Sequence, residues 1–125
     1  MQLVYKRRVH FADTDAAGVV HFSRLLCYAE EAEHELLGKL AIPLLADGGW
    51  PRVHVECDYS APASMGDDVE ITISVEKLGK SSVSWIFSMS VRDRKVANGK
   101  FKTVRVDKAG NTVLIPEEWR NLLLS

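Results

Sequence analysis

An α+β fold, with a curved antiparallel sheet wrapped around one long central helix, is predicted by three features of this 125-residue sequence. One run with helical period, near residues 22–40, stands alone among segments that alternate with a period of two. Turn residues divide those alternating segments into one strand before the helix and four after it. The helix must bury its apolar stripe, and one face of the sheet is the only large apolar surface on offer.

The first strand is residues 3–11, where Leu3, Tyr5, Val9 and Phe11 alternate with Val4, Lys6, Arg8 and His10; Arg7 interrupts the apolar face. Residues 13–18 form a loop. From Phe22 to Leu40, Leu25, Ala29, Ala32, Leu36 and Leu40 follow one helical stripe, and Leu26, Glu30, Glu33 and Leu37 form a second row beside it. Ser23 or the residues before it supply the N-cap, and Pro43 forbids continuation much past Ile42. Residues 47–51, Asp-Gly-Gly-Trp-Pro, form another loop.

Strands then follow at residues 53–59, 69–75, 83–91 and 101–107, with turns at Gly66-Asp67, Gly79-Lys80 and Asn98-Gly99, the last a strong hairpin signal. Pro116 opens a terminal helical turn over residues 117–123, with Glu117 and Glu118 at its positive end. One face and one edge of such a sheet stay uncovered, which predicts pairing of subunits.

Bulk properties narrow the class. The length makes a single domain, residues 1–125, able to bury roughly two-thirds of its unfolded surface. A net charge of -1 and scattered aromatic residues argue against nucleic acid as a partner. No segment has signal-peptide character or approaches the ~20 apolar residues of a membrane span, so no membrane partner is expected. Cys27 and Cys57 stand alone in apolar settings, which favours a reducing cytoplasm and small packing groups over a disulfide framework. The four His are dispersed without HExxH or CxxC spacing, so neither metal nor other cofactor is expected.

The chemistry concentrates in residues 11–22, Phe-Ala-Asp-Thr-Asp-Ala-Ala-Gly-Val-Val-His-Phe. A calcium loop matches at Asp13, Asp15 and Gly18 but fails at Ala17 and at Arg24, where a bidentate Glu is needed. The bland alternative is a loop whose Asp side chains bond nearby backbone N–H groups. The functional reading sets a carboxylate, Asp15, near unpaired N–H groups at a helix start around Phe22. A carboxylate can attack an activated acyl group or deprotonate water aimed at it, while the N–H stabilises the developing oxyanion. Asp13 reads as loop structure.

This stretch resembles the signature of the hotdog-fold acyl-CoA thioesterases of the 4-hydroxybenzoyl-CoA thioesterase family, carried by Phe11, Asp13, Asp15, Gly18, Val19, Val20 and the His21-Phe22 pair. The likeness extends over nearly the whole chain, including residues 53–63 and 78–82. It implies a hotdog fold, Asp15 as the catalytic carboxylate and the Phe22 backbone N–H as the group polarising the thioester carbonyl. It also implies a CoA-phosphate contact at Gly79, Lys80, Ser81 and Ser82, where Lys80 alone keeps a positive charge, and substrate-facing positions at His21 and Glu30. A homodimer assembling to a homotetramer follows as an expectation, with coenzyme A as part of the substrate. Details such as Glu31-Ala32, Pro51 with Val53-His54, and Pro116 before Trp119 lean toward the 1,4-dihydroxy-2-naphthoyl-CoA hydrolases. Ser23, Arg24 and Leu25 depart from an Asn and an aromatic common in relatives.

Other candidates have plainer readings. Glu30 and Glu33 read as boundary carboxylates reaching solvent, His21 as a wall of the site, and His54, Glu56 and Asp58 as one solvated strand face or dimer seam. The rival functions are a broad short-chain acyl-CoA thioesterase, a non-catalytic acyl-CoA-binding module, and a dehydratase or hydratase. The last asks for a helix-borne His, and this helix offers only His34, on its polar side.

Overall fold

The computed structural model describes residues 1–45 and 47–125. Strand β1 (Gln2–Arg8) leads through a 3-10 turn (Phe11–Asp13) and a loop into helix α1 (Phe22–Lys39). Next come the short β2 (Gly48–Gly49), β3 (Arg52–Tyr59), β4 (Asp68–Leu78), β5 (Ser82–Val91), β6 (Arg94–Val104), the short β7 (Val106–Asp107) and helix α2 (Glu117–Leu124). Five strands form one antiparallel sheet in the order β1-β4-β5-β6-β3, and β2 pairs with β7.

The helix forms where its stripe predicts. Leu25, Ala29, Ala32 and Leu36 are buried, joined by Tyr28 and Leu37 from the flanking rows. They meet the inward side chains of the sheet, among them Val69, Ile71, Ile73, Trp85 and Phe87, in one hydrophobic core. Trp85 stacks on Phe101 at 6.0 Å between ring centroids and donates its indole N–H to Thr103 Oγ1 at 3.1 Å, so this buried polar pair is satisfied.

Three local expectations are corrected. Strand β1 stops at Arg8, and Phe11 turns out to solvent in the 3-10 turn, 79% exposed. Asn98-Gly99 is no hairpin but the middle of β6. A Cβ on Gly99 would lie 2.2 Å from the Glu56 carbonyl oxygen and 2.8 Å from the Phe87 ring, so glycine is needed there for close approach of β3. The real turn is Arg92-Asp93, between the paired residues Val91 and Arg94, with Arg92 in the left-handed region at φ 55°. The 47–51 segment, expected as a loop throughout, pairs through Gly48 and Gly49 with β7.

Helix α1 packs most closely over β1 and β4 and touches β3 at its two ends, through Arg52 and Tyr59. Val55, Cys57 and Tyr59 stand opposite Phe101, Gly99 and Ala97, on the core-facing side of the sheet. Val55 and Tyr59 are nevertheless 43% and 45% exposed. With hydrogen bonds to β6 on one side only, β3 is an apolar edge without a neighbouring strand among the described residues.

Candidate active site

Residues 13–22 fold back on themselves. Thr14 bridges Val20, the Asp15 N–H donates to the Val19 carbonyl at 3.0 Å, and the Gly18 N–H donates to the Asp15 carbonyl at 2.9 Å. Gly18 adopts φ +79° with nothing within 4 Å of where a Cβ would sit, so backbone conformation rather than space calls for glycine. The loop is fastened to the segment before β4 by the Val20 N–H on the Ala63 carbonyl at 2.8 Å and a bridge from Val19 to Ser64. Asp15 lies exposed at the turn, its Oδ1 accepting the Ala17 N–H at 2.9 Å.

The start of α1 accounts for its N–H groups one by one. The His21 N–H donates to the Asp13 carbonyl at 3.0 Å, the Ser23 N–H to His21 Nδ1 at 3.2 Å, and the Arg24 N–H to the His21 carbonyl at 2.9 Å. Among the described residues, the Phe22 N–H has no acceptor. One donor at the positive end of an 18-residue helix is thereby left for an incoming anion or carbonyl oxygen. His21, rather than Ser23, is the N-cap. Its Nδ1 also lies 2.6 Å from the Ser23 hydroxyl. The Phe22 ring, 59% exposed, lies 4.5 Å from that of His21 and meets Tyr59 edge-on at 6.2 Å.

Asp13 differs sharply from Asp15. It is 2% exposed, and both oxygens are taken. Oδ1 accepts from Arg24 Nη2 at 2.9 Å and Nε at 3.1 Å; Oδ2 accepts from the Tyr28 hydroxyl at 2.8 Å, the His10 N–H at 3.0 Å and Arg7 Nη1 at 3.1 Å. Burial alone would raise its pKa, but these donors outweigh burial and hold it at about 2. A carboxylate so satisfied is no base for water, whereas Asp15, two residues on, is exposed.

Arg7, which interrupts the apolar face of β1, lies over the Tyr28 ring at 4.7 Å and also binds Glu31 at 3.0 Å. Arg24, a departure from the family pattern, turns to Asp13. Neither partner was legible beforehand, because the pairings join residues from different elements.

The low pKa of Asp13 carries a stability prediction. Its folded value lies below the ordinary 3.8, so the ionised form contributes stability that is present above pH 3.8 and is lost as pH falls toward 2. The contribution is on the order of 2 kcal/mol at neutral pH. Asp13→Asn is expected to flatten this acid limb, measured by urea unfolding at a series of pH values.

Glu33, expected to reach solvent, is instead 1% exposed. Its carboxylate accepts from Arg52 Nη2 at 2.7 Å; Glu30, half-exposed, stands 3.4 Å from the same nitrogen, and the guanidinium lies 4.2 Å over the Phe101 ring. Burial pushes the Glu33 carboxyl up, with Arg52 pulling the other way. Arg52→Ala is expected to lower the unfolding free energy by about 3 kcal/mol, because it strands a buried charge. Glu33→Gln keeps an oxygen for Arg52, removes the charge and is expected to cost under about 1 kcal/mol in the same urea titration.

The 79–82 turn lies elsewhere. The loop of Asp15 adjoins the start of β4, and this turn follows its end, 11 residues and about 35 Å away. It is held by the Ile115 N–H on the Lys80 carbonyl at 3.0 Å, the Arg105 N–H on the Ser81 carbonyl at 2.8 Å and Arg120 Nη1 on the Gly79 carbonyl at 2.6 Å. Arg105 and Arg120 therefore stand with Lys80 at a turn where the linear sequence shows one cation. Within one chain, Asp15, His21 and Phe22 lie on one loop closed by the Asp15–Val19 and His21–Asp13 backbone bonds, and the turn of Gly79, Lys80, Ser81 and Ser82 lies apart from it. Glu30 sits on α1 two turns beyond Phe22, facing Arg52.

Comparison with known proteins agrees with this architecture. Residues 9–123 match the model of the Thioesterase-like superfamily. A 1,4-dihydroxy-2-naphthoyl-CoA hydrolase of Synechococcus sp. (strain CC9605) is 34% identical over 115 residues, covering 84% of this chain and 77% of that protein. The protein of the same name from Synechococcus elongatus is 35% identical over 102 residues, covering 77% and 75%. Among solved structures, a gentisyl-coenzyme A thioesterase superposes with a TM-score of 0.90 at 30% identity, covering 97% of this chain and 99% of that one. A 1,4-dihydroxy-2-naphthoyl-CoA thioesterase from Synechocystis gives 0.91 at 24% identity, covering 100% and 97%, a likeness of hotdog fold.

Proposed function

The chain belongs to the Thioesterase-like superfamily, and from that premise we propose that it is an acyl-CoA thioesterase, hydrolysing an aromatic acyl-CoA such as 1,4-dihydroxy-2-naphthoyl-CoA to the free acid and coenzyme A. The observation that carries the reading is the presence, on one stapled loop, of an exposed carboxylate and of the one N–H of the α1 start left without an acceptor among the described residues.

The thioester carbonyl oxygen accepts from the Phe22 N–H, where the helix dipole favours the charge it gains. Asp15 takes a proton from the attacking water, the C–S bond breaks, and that proton leaves with the thiolate. As an alternative first step, Asp15 adds directly to the carbonyl and the C–S bond breaks to expel the thiolate; water then hydrolyses the mixed anhydride to the product acid and free Asp15, one of its protons going to the thiolate. We assign no metal or cofactor to either route; coenzyme A enters as part of the substrate. The exposed rings of Phe22 and Tyr59 suit an aromatic acyl group.

We further infer a homodimer, assembling to a homotetramer. Strand β3 starts beside the 79–82 end of the sheet, where the Val104 N–H donates to the Pro51 carbonyl and Val104 pairs with Ser82. It finishes at Tyr59, whose hydroxyl donates to the Phe22 carbonyl at 3.4 Å. A second copy paired antiparallel along this open edge brings its own 79–82 turn, with Lys80, Arg105 and Arg120, toward the Asp15 loop. The long coenzyme then spans both subunits.

Among the described residues no helix is long and apolar enough to cross a membrane, and both cysteines are free; we assign the protein to the cytoplasm. The test is thiol release from benzoyl-, 1,4-dihydroxy-2-naphthoyl- and short-chain acyl-CoA, with light scattering for the assembly. Turnover is expected, fastest with an aromatic thioester. Binding of the thioesters with thiol release at the blank rate would mark a non-catalytic module.

A further inference from the structure

We propose that the Asp13–Arg24 ion pair is the positioning device that holds Asp15 in register with the Phe22 N–H, with Arg24 as its adjustable half. The inference rests on the reading of Asp15 and Phe22 as the reacting groups. Asp13 precedes Asp15 by two residues, and Arg24 follows Phe22 by two. Their ion pair therefore spans the neck of the loop that carries both groups.

The two oxygens of Asp13 divide the work. Oδ2 belongs to the scaffold: Tyr28 on the buried side of α1, the His10 N–H, and Arg7 on β1. Oδ1 is given over to Arg24, which reaches it with Nε at 3.1 Å and Nη2 at 2.9 Å. Asp13 also closes the neck through its backbone, its carbonyl accepting the His21 N–H at 3.0 Å. That bond and the Oδ1–Arg24 pair act in parallel on either side of Phe22.

Arg24 is itself 40% exposed at the side chain, whereas Asp13 is 2% exposed, so the pair runs from the core out to the site. Its Nη1 lies 4.0 Å from Cys27 Sγ, a contact too weak to compete with the carboxylate. An arginine serves here because its planar fork meets one oxygen with two donors and fixes direction as well as distance. With Oδ2 still held by three donors, losing Arg24 removes one of the two ties across the neck without unpinning Asp13 from the core.

The test is Arg24→Met, with Arg24→Lys beside it, in the wild-type and Asp15→Asn backgrounds. Misplacement of a reacting group by about an ångström is worth on the order of 100-fold, so Arg24→Met is expected to lower kcat by about 10- to 100-fold with KM unchanged. Arg24→Lys, with one donor for Oδ1, should recover part of that loss. In the Asp15→Asn background, Arg24→Met should add little, since the two changes act through one group.

An unchanged kcat in Arg24→Met, while Asp15→Asn is inactive, would overturn the positioning role and leave the thioesterase reading standing. A raised KM at constant kcat would overturn it too, by making Arg24 a substrate-binding residue. Full activity in Asp15→Asn would instead remove the reading on which the proposal rests. A thermal midpoint near wild type for Arg24→Met separates loss of register from loss of fold.

Discussion

Asp15→Asn is expected to lower kcat for thioester hydrolysis by about two to four orders of magnitude while leaving the unfolding midpoint near that of the wild type. The side chain is exposed, and among the described residues its one hydrogen bond is Oδ1 accepting the Ala17 N–H at 2.9 Å. An asparagine oxygen accepts that bond equally well, so the loop keeps its shape and only the basic, negatively charged oxygen is lost. Initial rates of thiol release, beside a thermal melt, make the measurement. A kcat near wild type would remove Asp15 from the chemistry. Single-turnover hydrolysis in heavy-oxygen water separates its two roles: label entering the Asp15 carboxylate marks a nucleophile, and label confined to the product acid marks a base.

Phe22→Pro, compared with Phe22→Ala, isolates the oxyanion donor and is expected to show a kcat about 100- to 1000-fold lower for the proline variant. Both substitutions remove the ring; only proline removes the N–H. Such a change is normally ruinous inside a helix, but Phe22 is the first helical residue, where proline is favoured and where this N–H has no acceptor among the described residues. His21, at φ -62° and ψ 138°, already has the extended conformation required of a residue before proline. The fold should therefore tolerate the change, and circular dichroism with a thermal melt checks that it does. Equal kcat in the two variants would mean that the carbonyl oxygen is stabilised elsewhere.

The elements that the sequence displays most clearly are those whose causes are local. The α1 stripe appears in order because helical periodicity depends on residues three and four apart. The loop from Asp13 to Phe22 is legible for the same reason: its turn, glycine and helix start lie within ten residues. Misreadings arise where a residue answers to a distant neighbour. Asn98-Gly99 has the composition of a hairpin, yet Gly99 is there because the Glu56 carbonyl and the Phe87 ring leave no room for a Cβ. Arg92-Asp93 makes the actual turn without a glycine. Glu33 looks like a boundary carboxylate until Arg52, 19 residues later, comes over Phe101 to meet it.

The sequence by itself determined the turn and glycine of the loop before α1, the helix behind it and the alternation of the strands, because each follows from short-range sterics and periodicity. Tertiary structure decided which aspartate is free. Asp13 and Asp15 are near-equivalent in the linear chain, but burial among Arg7, Arg24 and Tyr28 commits the first and leaves the second at the surface. It also decided that Lys80 and Asp15 stand at opposite ends of the sheet, and that β3 crosses to the far side of β6 and remains an open edge. Pairing of charges and order of strands depend on which segments meet, and that is set by the packing of the whole core rather than by any one stretch of residues.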